Sequence, residues 1–193
     1  MKIIGISGYA RSGKDTAAYA LTHKGPGFYR AGFADALKED LLSLMRNRAE
    51  LVAVHAHRFP DFRLAIPGPE IFRDPGVREV FRPLLVEYGR AMRRLCADYW
   101  VRRLEVDYIL PDRLAHRPIE RLVITDVRYA NEAAMIRSHG GIVVGIARQG
   151  VGPANDEEQR SFAEFSPDVT VYNDKSVEAL HDKMLEIAAE FLK

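Results

Sequence analysis

The stretch Gly8–Thr16, GYARSGKDT, constrains this chain more than any other. Ahead of it runs Lys2–Ser7, KIIGIS, apolar and β-branched in the manner of a buried strand; after it Ala17–Leu21, AAYAL, continues at helical spacing. Strand, glycine-bounded loop and helix in that order form the context in which Gly8, Gly13 and Lys14 have the spacing of a phosphate-binding P-loop. Successive backbone N–H groups between Gly8 and Gly13 can curl around a phosphate. The helix that starts near Gly13 turns its positive end toward the same point, and Lys14 adds a full charge. Polyphosphate binding is the expectation, with Tyr9, Ala10, Arg11, Ser12, Asp15 and Thr16 completing the nucleotide-binding set.

Asp15 stands where a Ser or Thr usually places its hydroxyl on magnesium, and the hydroxyl arrives one residue later as Thr16. Adenylate-kinase-like loops show the same displacement, so the loop resembles that of a small-molecule kinase more than that of a GTPase or motor. Asp15 itself also reads as a first-turn acid favoured by the helix dipole.

A chain of 193 residues, 47% hydrophobic and 28% charged, is the size of one globular domain with a sizeable core. Lys+Arg of 28 against Asp+Glu of 27 leaves a net charge of +1, so no global field favours nucleic acid or an anionic membrane, and a phosphate site must be a local concentration of charge. The 21 Arg against 7 Lys fit phosphate recognition by guanidinium forks, and fit codon bias as well. Cys96 is the only cysteine, which excludes an intrachain disulfide and a thiolate zinc cluster. With no signal-peptide pattern and no run of about eighteen apolar residues, the expectation is a cytoplasmic protein, in a host cytoplasm if phage-encoded.

Along the chain, the first helix is predicted from Lys14 to about His23, ended by Lys24–Gly27, KGPG. Phe28–Phe33 reads as a short second strand, followed by a helix with Leu37, Leu41, Leu42 and Met45 in one stripe. Asp35 and Lys38 fall at that junction, where α/β sheets present residues to ligand; Asp35 also reads as a helix cap. Residues 47–76 break any period and read as loop or irregular insertion, and His55 and His57 lack the partners of a metal site. Val77–Cys96 is a long helix with Phe81, Leu85, Tyr88, Met92 and Leu95 on one side and Arg82, Arg90 and Arg93 on another. The arginines suit an anion site, and equally an exposed face. A further helix carries Trp100, Leu104 and Tyr108; that spacing favours a core stripe for Trp100, which is also a candidate substrate contact.

Arg121–Asp126, RLVITD, is a buried parallel strand ending in an acid, the position for a magnesium-side carboxylate. A helix with a Gly stop follows Arg128, then a strand closing in Arg148, which is counted with the nucleotide-binding residues. The polar segment Gln149–Ser166 reads as a mobile flap over the nucleotide, and a last strand and the helix Val177–Leu192 complete the layers. The expected fold is α/β, with about five parallel strands and helices on both faces, one P-loop kinase-type domain with a helical acceptor-binding region at about 47–110.

GKDT at 13–16, FADALK at 33–38, the region from Arg82 to Val101, DVRYANE at 126–132 and YNDKS at 172–176 together resemble the phage deoxynucleoside monophosphate kinase family. The resemblance spans most of the chain in the right order. It implies ATP- and magnesium-dependent transfer of the γ-phosphate to a deoxynucleoside monophosphate, often by a homodimer. Val86 stands where the family carries Gln, and the late block appears as Ser161–Glu164, SFAE, so the preferred base is left unassigned.

A monophosphate acceptor is already anionic near neutral pH, so the enzyme needs positive charge rather than a strong base. Lys14, magnesium held through Thr16 and Asp126, and Arg11 or a flap Arg would stabilise the transferring group. Arg82, Arg90, Arg93 or Arg128 would hold the acceptor phosphate, with Asp35, Lys38, Trp100 and Glu132 as further substrate contacts. Two other readings stand beside this: a kinase of an alcohol such as dephospho-coenzyme A, with Asp35 as base, and a nucleotide-binding regulatory protein with the flap as switch.

Overall fold

The computed structural model describes residues 1–46, 69–110 and 119–193. His55, His57 and most of the expected loop at 47–76 lie outside the described residues. Five strands, β1 (Lys2–Ser7), β2 (Tyr29–Ala31), β3 (Arg121–Val127), β4 (Ile142–Ala147) and β5 (Val169–Tyr172), pair in parallel in the order β2-β3-β1-β4-β5. The apolar runs IIGI, LVI and VVGI make the central strands, because a parallel strand is covered on both faces.

The helices among the described residues are α1 (Lys14–Tyr19), α2 (Phe33–Arg46), α3 (Pro75–Leu95), α4 (Tyr99–Leu104), α5 (Ala130–Ser138), α6 (Asp156–Ala163) and α7 (Val177–Phe191). Wider π turns extend α1 through Ala20–Lys24 and α4 through Glu105–Ile109. The chain divides into two compact units, Met1–Phe33 with Leu104–Lys193, and Ala34–Arg103.

In the first unit, Ile4 and Ile6 of β1 share a buried cluster with Ala17 and Leu21 and with Leu180, Met184 and Ile187 of α7. The other face of β1 meets α5, where Ile136 fills the space beside Gly5. Helices therefore cover both faces of the sheet. Because β2 and β3 lie on one side of β1 and β4 and β5 on the other, the crossovers leaving β1 and β3 run in opposite directions. The chain parts between these two strands, at the carboxyl end where α/β sheets bind ligands.

In the second unit, Leu41 and Leu42 of α2 pack with Phe72 and Phe81, and Ile71, Val77, Leu85 and Tyr88 join them. Asp74 caps α3, its Oδ1 accepting the Val77 N–H at 2.9 Å, with Pro75 in the first turn. The expected α3 stripe holds at Phe81, Leu85 and Tyr88 and fails at Leu95, which is 80% exposed in the last turn. Tyr99 Oη and Arg103 Nη2 both reach Asp40, at 3.0 and 3.3 Å. Burial and then this carboxylate push the Tyr99 pKa up.

Candidate active site

The loop between β1 and α1 takes backbone conformations that explain its glycines. Gly8 has φ +143° and Gly13 φ +106°, both outside the range of most side chains, and Arg11 stands at φ +67°. A Cβ at Gly13 would collide with Asn173 Nδ2, and one at Gly8 would press on the Ile146 carbonyl. Asn173, just beyond β5, donates from Nδ2 to the Ser12 carbonyl at 2.8 Å and so fixes the loop from the far side of the sheet. Ser12 is buried, Arg11 is exposed, and Tyr9 packs edge-on against Phe162 of α6 at 4.9 Å between ring centres.

Lys14, in the first turn of α1, donates to the Tyr9 carbonyl at 2.8 Å. Its pKa is lowered from the usual 10.5, first by burial and then by the Arg128 charge, while Asp15, Glu158 and Asp126 oppose the shift. Asp15 is exposed and Thr16 half-buried in the same turn.

β3 brings Asp126 and Arg128 to this loop. Gly5 pairs with Ile124, but Ser7 pairs with Val127, so β3 advances one residue more than β1 across Thr125 and Asp126. Such a bulge re-aims side chains at a strand end. Asp126 Oδ1 accepts the backbone N–H of Phe33, the first residue of α2, at 2.8 Å. Asp126 thus serves the start of α2, and Asp35 sits within the first turn paired with Lys38 at 3.2 Å.

Arg128 is 51% exposed, with Nη1 4.0 Å from Glu158 Oε1. Glu132, expected to meet substrate, is only 2% exposed: its Oε2 accepts the N–H groups of Arg128 at 2.8 Å and Tyr129 at 3.2 Å, which fixes the turn into α5. Arg148 is exposed beyond β4. A cavity of about 270 Å³ opens at the end of β5, lined by Tyr172, Asn173, Lys175, Ser176, Leu180 and Lys183 among others, and touches the loop through Asn173.

The remaining candidates belong to the second unit. Arg90 pairs with Glu87 at 2.8 Å, Arg82 lies 3.9 Å from Glu79 with both side chains highly exposed, and Arg93 is half-buried. Trp100 is 2% exposed, gives its indole N–H to the Gly89 carbonyl at 3.2 Å and packs edge-on against Tyr88 and Tyr99. It is core, as its stripe suggests, and not a stacking platform.

Reading the sequence alone missed Asn173 and Glu158. Residues 149–166, expected as a flap, contain α6, which begins with Asn155 Oδ1 accepting the Glu158 N–H at 2.9 Å. The spacing of Asn155 and Glu158 is a helix-start signal that the polar composition obscured. Among the described residues no three of His, Cys, Asp and Glu gather as a metal centre. The hard oxygens of Asp126 and Thr16 suit magnesium, which commonly takes one or two protein oxygens and completes its shell with phosphates and water.

No described helix is long and apolar enough to cross a membrane. No family model matches the chain. An unliganded sugar kinase structure from a Janibacter species aligns over 99% of this chain and 93% of its own, at 15% identity and a TM-score of 0.39. A protein of Acanthamoeba polyphaga mimivirus, provisionally named a deoxynucleotide monophosphate kinase, is 29% identical over 192 residues, which is 96% of this chain and 95% of the relative.

Proposed function

We propose that this protein is a phosphotransferase that moves the γ-phosphoryl group of ATP, with magnesium, onto a deoxynucleoside monophosphate. The observation that carries this reading is the cradle of Gly8–Thr16 at the parting of β1 and β3, with Lys14 inside it and Asp126 and Arg128 at the end of the neighbouring strand. The full-length similarity to the mimivirus protein supports the acceptor class, and the family resemblance read from the sequence supports deoxyribose.

In this reading, backbone N–H groups from Gly8 to Gly13 and the start of α1 bind the donor phosphates, and Lys14 exchanges the Tyr9 carbonyl for a phosphate oxygen. Asp126 and Thr16 would hold magnesium, which when bound supplies positive charge to the phosphate oxygens. Arg11 and Arg128 carry charge to the transferring group, and Tyr9, Ala10, Ser12, Asp15 and Arg148 line the donor side. Asp35, Lys38, Arg82, Arg90 and Arg93 are proposed acceptor contacts from the sequence. Catalysis is then positioning and charge stabilisation, with no general base required.

The test is an assay of ATP and magnesium with each deoxy- and ribonucleoside monophosphate and with dephospho-coenzyme A. Diphosphate from at least one deoxynucleotide is expected. Transfer to dephospho-coenzyme A alone, lost in Asp35→Asn, would establish an alcohol kinase instead. Binding of ATP with no transfer to any acceptor would favour a regulatory protein.

A further inference from the structure

We infer that the carboxylate of Glu158 competes with phosphate for Arg128. Glu158 has this role only if the Gly8–Thr16 loop binds phosphate as proposed above, and the role adds a control on that site which the kinase reading does not require.

Glu158 is 9% exposed in the first turn of α6. Its position is fixed twice over: its N–H bonds to Asn155 Oδ1 at 2.9 Å, and its Oε2 accepts the Ala154 N–H at 2.7 Å. This reciprocal arrangement caps the helix, and a Gln caps as well as a Glu at that place. The charge therefore needs another account. Oε1 lies 4.0 Å from Nη1 of Arg128, a pair too loose and too exposed on the arginine side to contribute much to stability.

Its consequence falls on the neighbouring site. Ser7 of β1 pairs with Val127, so Arg128 leaves β3 beside the start of the Gly8–Thr16 loop, and Glu158 lies next to it. The carboxylate cannot easily withdraw, since α6 is fastened to the loop by Phe162 against Tyr9 and to β3's exit by Tyr129 Oη donating to Glu157 at 3.3 Å. A phosphate that takes Arg128 must break the Glu158 pair and face a fixed negative charge. Glu158 thus lowers the affinity of the loop for any phosphate that draws on Arg128.

Inorganic tripolyphosphate is titrated at low salt into wild type and into Glu158→Gln, Lys14→Ala, Arg128→Gln and the double variant Glu158→Gln/Arg128→Gln. Glu158→Gln should keep its melting temperature and bind about two- to fivefold tighter, the size of a partly exposed ion pair. The gain should vanish in the double variant and at high salt. Unchanged or weaker binding, or a gain that persists without Arg128, overturns the competition. Loss of binding in Lys14→Ala with no gain in Glu158→Gln refutes the competition and leaves the loop's function intact. Wild-type affinity in Lys14→Ala ends both. In the wild type, independent of any Glu158 variant, the Glu158 carboxyl carbon and the Arg128 guanidinium nitrogens should shift together in the NMR spectrum as tripolyphosphate is added. A carboxyl signal that stays still while Arg128 moves also overturns the inference.

Discussion

Asp126 Oδ1 accepts the backbone N–H of Phe33 at 2.8 Å, so one side chain near the end of β3 serves the start of a helix more than ninety residues earlier in the chain. Asp126→Asn keeps an oxygen for Phe33 and removes the charge; Asp126→Ala removes both. We expect Asn to leave stability nearly unchanged while sharply reducing magnesium-dependent turnover. Ala should cost about 0.5–2 kcal/mol in addition, the range of a lost helix-start acceptor. Denaturant melts beside a magnesium titration of turnover separate the two roles, and equal destabilisation by Asn and Ala would show that the neutral oxygen does not hold Phe33 and overturn the separation.

Lys14→Met should abolish transfer without unfolding the chain. It should also change the pH dependence of stability. The folded pKa of Lys14 lies below its ordinary 10.5, so between the two values the unfolded chain holds more protons than the folded one and stability rises with pH. The penalty for the buried charge is fully present below the folded pKa and gone above about 10.5. Wild type should therefore gain on Lys14→Met as pH is raised from 7 toward 10.5 in chemical denaturation. A pH-independent difference between the two proteins would contradict the buried cation.

Gly13→Ala combines a φ of +106° with a collision against Asn173, whereas Gly150→Ala meets a φ of +75° with open space around it. Strain alone costs roughly 1–2 kcal/mol per residue. Gly13→Ala should exceed that and lose ATP binding; Gly150→Ala should stay within it and bind normally. Thermal melts and ATP titrations of the pair decide this, and equal behaviour would remove the close approach as the reason for Gly13.

Asn173→Ala deletes the 2.8 Å bond to the Ser12 carbonyl. A loss of about 0.5–1.5 kcal/mol in stability is expected, with weaker ATP binding and an unchanged Michaelis constant for the acceptor. An effect on the acceptor alone would reassign Asn173.

Trp100→Phe removes the indole donor to Gly89 from a closed core. It should destabilise by about 0.5–1.5 kcal/mol, the net worth of one hydrogen bond, while the acceptor's Michaelis constant at a temperature where the variant is folded stays put. A rise in that constant at full stability would restore Trp100 as a substrate contact.

The local grammar of the chain determined much of this protein. KIIGIS, the glycines at 8 and 13 and the lysine after them specify strand, loop and helix through interactions a few residues long, and the apolar runs at 122–124 and 143–146 call for a parallel sheet covered on both faces. Position 126 was legible as an acid at a strand end for the same reason. Tertiary structure decided what no short window contains: the β-bulge beside Asp126, the Phe33 amide that Asp126 holds, the clasp of Asn173 on the Ser12 carbonyl, and the burial of Glu132. It also placed Glu158 beside Arg128 and left Leu95 in water at the end of an otherwise apolar stripe. Helical and strand periodicity report which face of an element is apolar, but a polar side chain's partner depends on which distant backbone atoms the strand order and register bring within about 3 Å of it.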